Sequence, residues 1–221
     1  MAESPARLLL GLDTSTQVQA GLADDRSVLA STSYDDPRRH VEQLALLIQR
    51  TLVEGNTSAD RLSKIIVGLG PGPYTGLRVG IATARTMAAA LNIDVRGVCS
   101  LDVLAAQWIR SEQPPTGDFV IATDARRREV YWAQYDADGV RRSGPSVGKP
   151  ADLPTMPIGG PAADAYPELI IAPGAPTRLD AGVLALVGSS LADEGIEPLY
   201  LRSPDAAPPG KRKSVLPKVL P

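Results

Sequence analysis

RLLLGLD, residues 7–13, is a short apolar stretch that ends in an aspartate, and it predicts the first buried strand of the fold. Two further apolar-leaning stretches follow at residues 18–23 and 27–33, joined by tight polar connections that predict an antiparallel meander. FVIATD, residues 119–124, repeats the opening pattern in the second half of the chain and also precedes a predicted meander. We therefore predict an α/β protein with two lobes, each beginning with a strand that ends in aspartate.

The remaining elements are predicted from hydrophobic periodicity and from turn residues. Apolar positions spaced by three and four predict helices at 41–52, 75–91, 100–110 and 181–194. Additional strands are predicted at 64–70, 94–99 and 140–142, the last before a region rich in proline and glycine. The clearest break is Pro-Pro-Thr-Gly at 114–117. We therefore divide the chain into an N-terminal lobe, a C-terminal lobe and a Pro-rich basic tail, at 1–113, 114–203 and 204–221.

The composition excludes several classes of protein. The chain has 221 residues, with 23 Lys and Arg against 25 Asp and Glu, so it lacks the basic excess of most proteins that grip nucleic acid. One His and one Cys cannot build a metal site of the His or Cys type, or an intramolecular disulfide. No apolar run approaches the roughly 18 residues that span a membrane, and no signal peptide is evident. We expect a cytoplasmic protein without a membrane partner.

A glycine-rich segment, GLGPGPYTGLRVG at residues 68–80, is the most informative motif. It fits neither the phosphate-binding P-loop nor the dinucleotide fingerprint, and its two prolines remove backbone donors that an anion would need. In the helix that follows, small residues recur every four positions: Gly76, Gly80, Ala84 and Ala88. Such a stripe lets another backbone approach closely. It either packs on the protein's own sheet or contacts a partner helix, with Arg78 and Arg85 at the rim.

Four polar residues are candidates for a nucleotide cleft. Asp13 and Asp124 end the opening strands of the two lobes, and two carboxylates facing across a cleft would suit magnesium and a nucleotide. In actin-like ATP-binding folds the turns after these aspartates carry glycine, which lets backbone amides reach phosphate. Here Thr14 and Ser15 follow the first aspartate, so we predict a degenerate nucleotide site. His40 is expected to cap or lie on the surface, and Cys99 to be buried.

The motifs together resemble the TsaB (YeaZ) family. The resemblance rests on segments in the family's order: LLLGLDTSTQ at 8–17, RRHVEQL at 38–44, VGLGPGPYTGLRVGIATA at 67–84, GVCSLDVLA at 97–105, DARRREVYWA at 124–133 and PLYLR at 198–202. The family commonly has GPGSFTG where this chain has GPGPYTG, so Pro73 and Tyr74 are mild departures. The resemblance implies a two-lobed actin-like fold (ASKHA, ribonuclease-H-like) with mixed sheets flanked by helices.

The resemblance also implies a role in making threonylcarbamoyladenosine next to the anticodon of tRNA. The chemistry would belong to the paralogue TsaD, whose metal site uses a His-x-x-x-His motif that this chain lacks, so no catalytic residue, metal or cofactor is assigned here. The chain would bind TsaD directly, with TsaE joining the complex and tRNA reached indirectly; family members also pair as homodimers. The implied partner-binding residues come from two helices of the N-terminal lobe: His40, Val41, Leu44, Ile48, Thr75, Gly76, Arg78, Gly80, Ala84, Arg85 and Ala88.

Two other functions stay open on the sequence alone. One is a weak ATP-binding phosphotransferase whose cleft contains Asp13 and Asp124. The other is a structural homodimer that associates only with itself.

Overall fold

The first sheet has five strands, in the order β3-β2-β1-β4-β5. They are β1 (Leu8–Asp13), β2 (Val18–Ala23), β3 (Val28–Tyr34), β4 (Leu62–Gly68) and β5 (Asp94–Val98). Strand β1 pairs antiparallel with β2 and parallel with β4, so the sheet is mixed. The structure is a computed structural model that describes residues 7–34 and 40–202, with only the backbone of residues 40–42 described. The predicted tail at 204–221 lies outside the described residues.

Helices cover both faces of the first sheet. Successive side chains of a strand point to opposite faces, and Leu10 and Leu12 of β1 accordingly point into the core beneath α1 (His40–Glu54) and α2 (Tyr74–Leu91). On the other face lies α4 (Ala181–Val187), which packs against β1 and β2. Glycine at position 11 permits this contact, because a Cβ there would lie only 2.8 Å from the Ala185 amide nitrogen.

The second sheet has four strands, in the order β8-β7-β6-β9. They are β6 (Phe119–Asp124), β7 (Val130–Tyr135), β8 (Arg141–Gly148) and β9 (Ile158–Gly159). Helix α3 (Ser100–Ile109) packs on this sheet, and the Trp108 ring meets the edge of Phe119 at a centroid distance of 4.8 Å. A core cluster between the two sheets also contains Ile66 of β4 and Leu184 of α4. Short 3₁₀ turns lie at Ala59–Arg61, Pro150–Asp152 and Pro161–Asp164.

The predicted fold class, mixed sheets flanked by helices, is confirmed, and the antiparallel β1-β2-β3 meander beside the parallel β4 and β5 agrees with the actin-like arrangement. Two element predictions were wrong in extent. The last helix ends at Val187 rather than continuing to 194, because the amide and the hydroxyl of Ser190 both bond the Val187 carbonyl oxygen and close the turn. Strand β8 extends to Gly148, well beyond 142, because it continues to pair with β7. The lobe boundary near 114 stays a prediction.

Candidate functional site

Asp13, at the end of β1, is completely buried and fully engaged inside the protein. Its Oδ1 accepts hydrogen bonds from the Ser15 amide at 2.8 Å and the Ser15 hydroxyl at 2.6 Å. Its Oδ2 accepts a bond from the Ser100 hydroxyl at 2.6 Å. Burial raises the pKa of Asp13, and the three hydrogen bonds only partly oppose that shift. Both carboxylate oxygens therefore serve the interior of the protein rather than facing a cleft.

The surroundings of Asp13 are also packed tightly. The Ser100 hydroxyl that bonds Asp13 accepts a bond from the Gly70 amide at 3.1 Å, so α3, the glycine-rich loop and the end of β1 are tied together. A Cβ added to Gly68 would overlap Asp13 Oδ2 and lie 2.7 Å from the Ser100 hydroxyl oxygen. No space for an ion or a phosphate remains on this side of the carboxylate. This packing favours the degenerate interpretation of the cleft over a working phosphotransferase site.

Asp124, at the end of β6, is partly exposed and holds a different kind of turn. Its Oδ1 accepts hydrogen bonds from the Arg126 amide at 2.7 Å and the Tyr166 hydroxyl at 3.1 Å. Its Oδ2 lies 3.4 Å from the Arg126 guanidinium. Within residues 7–34 and 40–202, no group of three or more His, Cys, Asp or Glu side chains could hold a metal ion.

The glycines of α2 receive the turn that follows Asp13. The Thr14 hydroxyl donates to the Gly76 carbonyl oxygen at 2.8 Å. A Cβ on Gly76 would lie 2.7 Å from the Thr14 carbonyl oxygen, and one on Gly80 would overlap the Thr14 hydroxyl. A Cβ on Gly72 would come within 2.6 Å of the Ser15 carbonyl oxygen. The spacing of these glycines therefore fits the Thr14–Ser15 turn of the same chain.

The predicted contact between the small-residue stripe and a partner helix needs correction. Gly80, Ala84 and Ala88 are buried, the two alanines in the core of the first sheet, because this face of α2 packs inward. Leu44 and Ile48 of α1 are buried in the same core. These five residues have no surface to offer to a partner. Thr75, Arg78 and Arg85 are exposed and Gly76 is half-buried. The side chains of His40 and Val41 lie outside the described residues.

The outward faces of α1 and α2 carry residues that the sequence analysis did not single out. Leu46 is 58% exposed and Val53 is 71% exposed, and they lie seven positions apart on α1. Residues seven apart share one face of a helix, so the pair forms an apolar strip in solvent. Exposed Ala82 and Ala89 have the same spacing on α2, beside Arg78 and Arg85. We call the exposed side chains of these two helices the α1–α2 face. Leu46 and Val53 were detectable as apolar residues outside the core periodicity of α1.

The last described segment joins the two lobes near the glycine-rich loop. The Leu199 amide donates to the Leu69 carbonyl oxygen at 2.9 Å. The Tyr200 ring stacks on Tyr74 at a centroid distance of 4.8 Å, and the Arg78 guanidinium lies 5.2 Å from the centre of the Tyr74 ring. Both tyrosines keep over a third of their surface exposed.

Cys99 lies at the start of α3 and is buried, as predicted. Burial raises the pKa of its thiol to about 12. The thiolate, which is the nucleophilic form of cysteine, is therefore not populated at neutral pH. No helix of residues 7–34 and 40–202 has the length and apolar character needed to cross a membrane.

Comparison with known proteins identifies the family. The family model described as "TsaD: tRNA N6-adenosine threonylcarbamoyltransferase" matches residues 28–180. An uncharacterized protein of Mycobacterium tuberculosis (strain H37Rv) is 39% identical over 208 residues, which cover 90% of this chain and 94% of that protein. The tRNA threonylcarbamoyladenosine biosynthesis protein TsaB of Escherichia coli K12 is 32% identical over 132 residues, which cover 59% of this chain and 55% of that protein.

A solved structure of YeaZ from Pseudomonas aeruginosa matches with a TM-score of 0.69 and 26% identity, covering 88% of this chain and all of the other. A second Pseudomonas aeruginosa structure, of an uncharacterized protein with similarity to peptidase YeaZ, matches with a TM-score of 0.71 and 27% identity over 89% of this chain. The sequence motifs, the fold and these relatives agree: the chain belongs to the TsaB (YeaZ) family, within the range of the TsaD family model.

Proposed function

We propose that this chain is a non-catalytic subunit of the machinery that makes threonylcarbamoyladenosine in tRNA, and that it binds TsaD directly through the α1–α2 face. The TsaB relatives of Escherichia coli and Bacillus subtilis are named for this biosynthesis. TsaE joins through the complex with TsaD, and the same face accepts a second copy of this chain when TsaD is absent.

The observation that carries the proposal is the exposed apolar strip of Leu46 and Val53. Two large aliphatic side chains on one helix face lose favourable burial energy by remaining in water. The neighbouring α2 presents small exposed alanines between two arginines, which allow a partner helix to approach and which supply charge at the rim. Helices α1 and α2 pack against each other, so this face is continuous.

The state of Asp13 supports the non-catalytic part of the proposal. A carboxylate that orients magnesium or a nucleotide needs at least one oxygen directed at the ligand. Both oxygens of Asp13 are instead bonded to Ser15 and Ser100 in the interior. The Thr14–Ser15 turn is packed against α2, so the strand end supports the α1–α2 face rather than a reaction centre.

The experiment places a charge in the apolar strip. The double variant Leu46→Asp/Val53→Asp should weaken TsaD binding, measured by isothermal titration calorimetry, by about 100-fold or more, because two buried interface groups would become unpaired charges. Modification of a tRNA transcript by purified TsaD and its companion proteins should fall in parallel. The matched control is Val140→Asp, an exposed valine of the second lobe, which should leave both measurements unchanged.

Retained TsaD binding in Leu46→Asp/Val53→Asp would refute the assignment of this face. Light scattering of the same variant tests the second copy, since a homodimer formed through this face should dissociate. A homodimer that persists in the variant and excludes TsaD would favour the purely structural alternative.

A further inference from the structure

Three successive arginines form the turn between β6 and β7 in an unusual conformation. Arg126, Arg127 and Arg128 have φ values of 61°, 56° and 63°, in the left-handed region that glycine and asparagine adopt most readily. All three residues are exposed. Strained backbone of this kind persists where the surrounding structure enforces it, and it is concentrated at sites that bind something. A sequence that required only a turn would place glycine here, so the arginine side chains themselves need an explanation.

The surrounding contacts hold this arginine turn in one shape. The Ala125 amide donates to the Glu129 carbonyl oxygen at 2.9 Å, and the Glu129 amide donates to the Arg126 carbonyl oxygen at 3.0 Å. The Tyr166 hydroxyl lies 2.9 Å from the Glu129 carbonyl oxygen. Arg202 donates to the Ala125 carbonyl oxygen at 2.9 Å and forms an ion pair with Glu129. The turn is therefore braced from β9's flank and from the last described segment.

The charge around the turn is positive. Four arginines, at 126, 127, 128 and 202, stand against two carboxylates, Asp124 and Glu129, which leaves a net charge of +2. The chain continues past Arg202 with four basic residues and no acidic residue between 206 and 221. Because Arg202 contacts the turn, that basic stretch starts beside it. This local excess contrasts with the net charge of −2 of the whole chain.

Exposed aromatic rings lie in the same segment. Tyr200 is two residues from Arg202 and stacks on Tyr74, and both rings keep exposed surface. Proteins that bind single-stranded nucleic acid combine arginine or lysine contacts to phosphates with aromatic rings on which bases stack. An acidic protein segment would use the arginines but would have no use for the stacked rings.

We propose that the Arg126–Arg128 turn and the adjacent Tyr74–Tyr200 pair form an RNA-binding surface, in which the arginines contact phosphates of an unpaired loop and a base stacks on the exposed tyrosine. This inference rests on the proposed function in one respect, that the RNA is a tRNA whose anticodon loop is presented to the complex. It adds a direct contact where family resemblance implied only an indirect one. The surface lies on the second sheet and the glycine-rich loop.

The test measures RNA binding by the full chain. A fluorescein-labelled, unmodified transcript of a tRNA that reads ANN codons is titrated by fluorescence anisotropy at about 50 mM and about 200 mM salt. Arg127→Gln/Arg128→Gln should weaken binding about tenfold and reduce the salt slope of log Kd by about 2, since each lost phosphate contact lowers the slope by about 1. Arg127→Lys/Arg128→Lys should keep most of the affinity, because it keeps both charges.

The matched control removes two exposed arginines from the opposite end of the first sheet, Arg26→Gln/Arg61→Gln. Equal weakening in the control and the test variant would overturn the proposal, as would unchanged binding in the test variant or no binding by the native chain. Calorimetry with TsaD is run on the same variants. If Arg127→Gln/Arg128→Gln loses TsaD and retains RNA, the turn is a protein contact and the RNA proposal fails. Loss of TsaD binding only in the Leu46 and Val53 variant leaves the RNA test independent of the proposed function.

Discussion

The turns after Asp13 and Asp124 follow the same sequence pattern and have opposite environments. The first aspartate is buried, bonded only to serines, and its turn packs under the glycines of α2. The second is partly exposed, and its turn presents three arginines to solvent. In a nucleotide-binding protein of this fold the two turns would face one ligand from both lobes. Here one turn supports the partner-binding face and the other carries charge, so the duplicated positions have taken on separate tasks.

The largest effect should come from adding a methyl group beside the first aspartate. In Gly68→Ala the new Cβ would overlap Asp13 Oδ2 in a fully packed site, so we expect a loss of about 3 kcal/mol in the free energy of unfolding. Urea denaturation followed by circular dichroism measures it. Gly117→Ala is the matched control, because a Cβ there meets nothing within 4 Å. Similar losses in both variants would contradict the packing described for Asp13.

The two aspartates themselves should differ in a second comparison. Asp13→Ala leaves two buried hydroxyls and a buried amide without their acceptor, which should cost about 2 kcal/mol of unfolding free energy. Asp124→Ala removes bonds at a partly exposed turn, where water replaces the lost acceptor, and should cost about 1 kcal/mol or less. Chemical denaturation of both variants in one buffer gives the difference. A larger cost at Asp124 would reverse our assignment of the structural role.

The pH dependence of stability offers a smaller effect with a defined sign. Burial raises the pKa of Asp13 above its ordinary value of 3.8, so the folded protein holds this proton to higher pH than the unfolded chain. The resulting contribution to stability is complete below the unfolded pKa and is lost as the pH rises through the folded pKa. Asparagine does not titrate. The destabilisation caused by Asp13→Asn should therefore shrink between about pH 4 and about pH 7, as measured by urea unfolding at each pH.

A constant difference between the native chain and Asp13→Asn across this range would mean that the two states bind this proton equally. In that case Asp13 would be hydrated in the folded protein, and the contrast with Asp124 would lose its basis.

The smallest effect should be a gain in stability at the second turn. Arg128→Gly relieves a left-handed backbone conformation, although the added freedom of the unfolded chain offsets part of the benefit. We expect a rise of about 0.5 kcal/mol in the free energy of unfolding together with weaker RNA binding. Thermal denaturation and the anisotropy titration measure the two quantities on one sample. A gain in stability without any loss of RNA affinity would remove Arg128 from the proposed surface.

The sequence predicted most of the frame of this protein because the frame depends on local patterns. β1, β2, β6 and α2 were predicted almost to the residue, since apolar runs and the glycine-rich loop mark their limits. The length of the last helix was not predictable in the same way. It ends because Ser190 bonds back to Val187 over a stretch that hydrophobic spacing alone would have continued.

The side of α2 that faces inward was the main error, and its cause is not local. A stripe of small residues suits an internal contact and an external one equally well, so spacing alone cannot decide between them. The decision depends on Thr14, which is 62 residues earlier in the chain and occupies the space above Gly76 and Gly80. Leu46 and Val53 were overlooked because attention went to the periodic positions of α1, whereas partner-facing residues are the apolar ones that break that period.

The position of α4 has a consequence for how the protein is made on the ribosome. Residues 181–187 cover the face of β1 and β2 that carries Gly11 and Gly21, and these strands leave the ribosome more than a hundred residues earlier. Until α4 emerges, the nascent first sheet has one bare apolar face, including Leu9 and Ala23. Chaperone binding during synthesis should therefore be concentrated in the interval before residue 181 is released. A ribosome-bound chain stalled before that residue should remain sensitive to protease in its first sheet, whereas one stalled well after it should be protected.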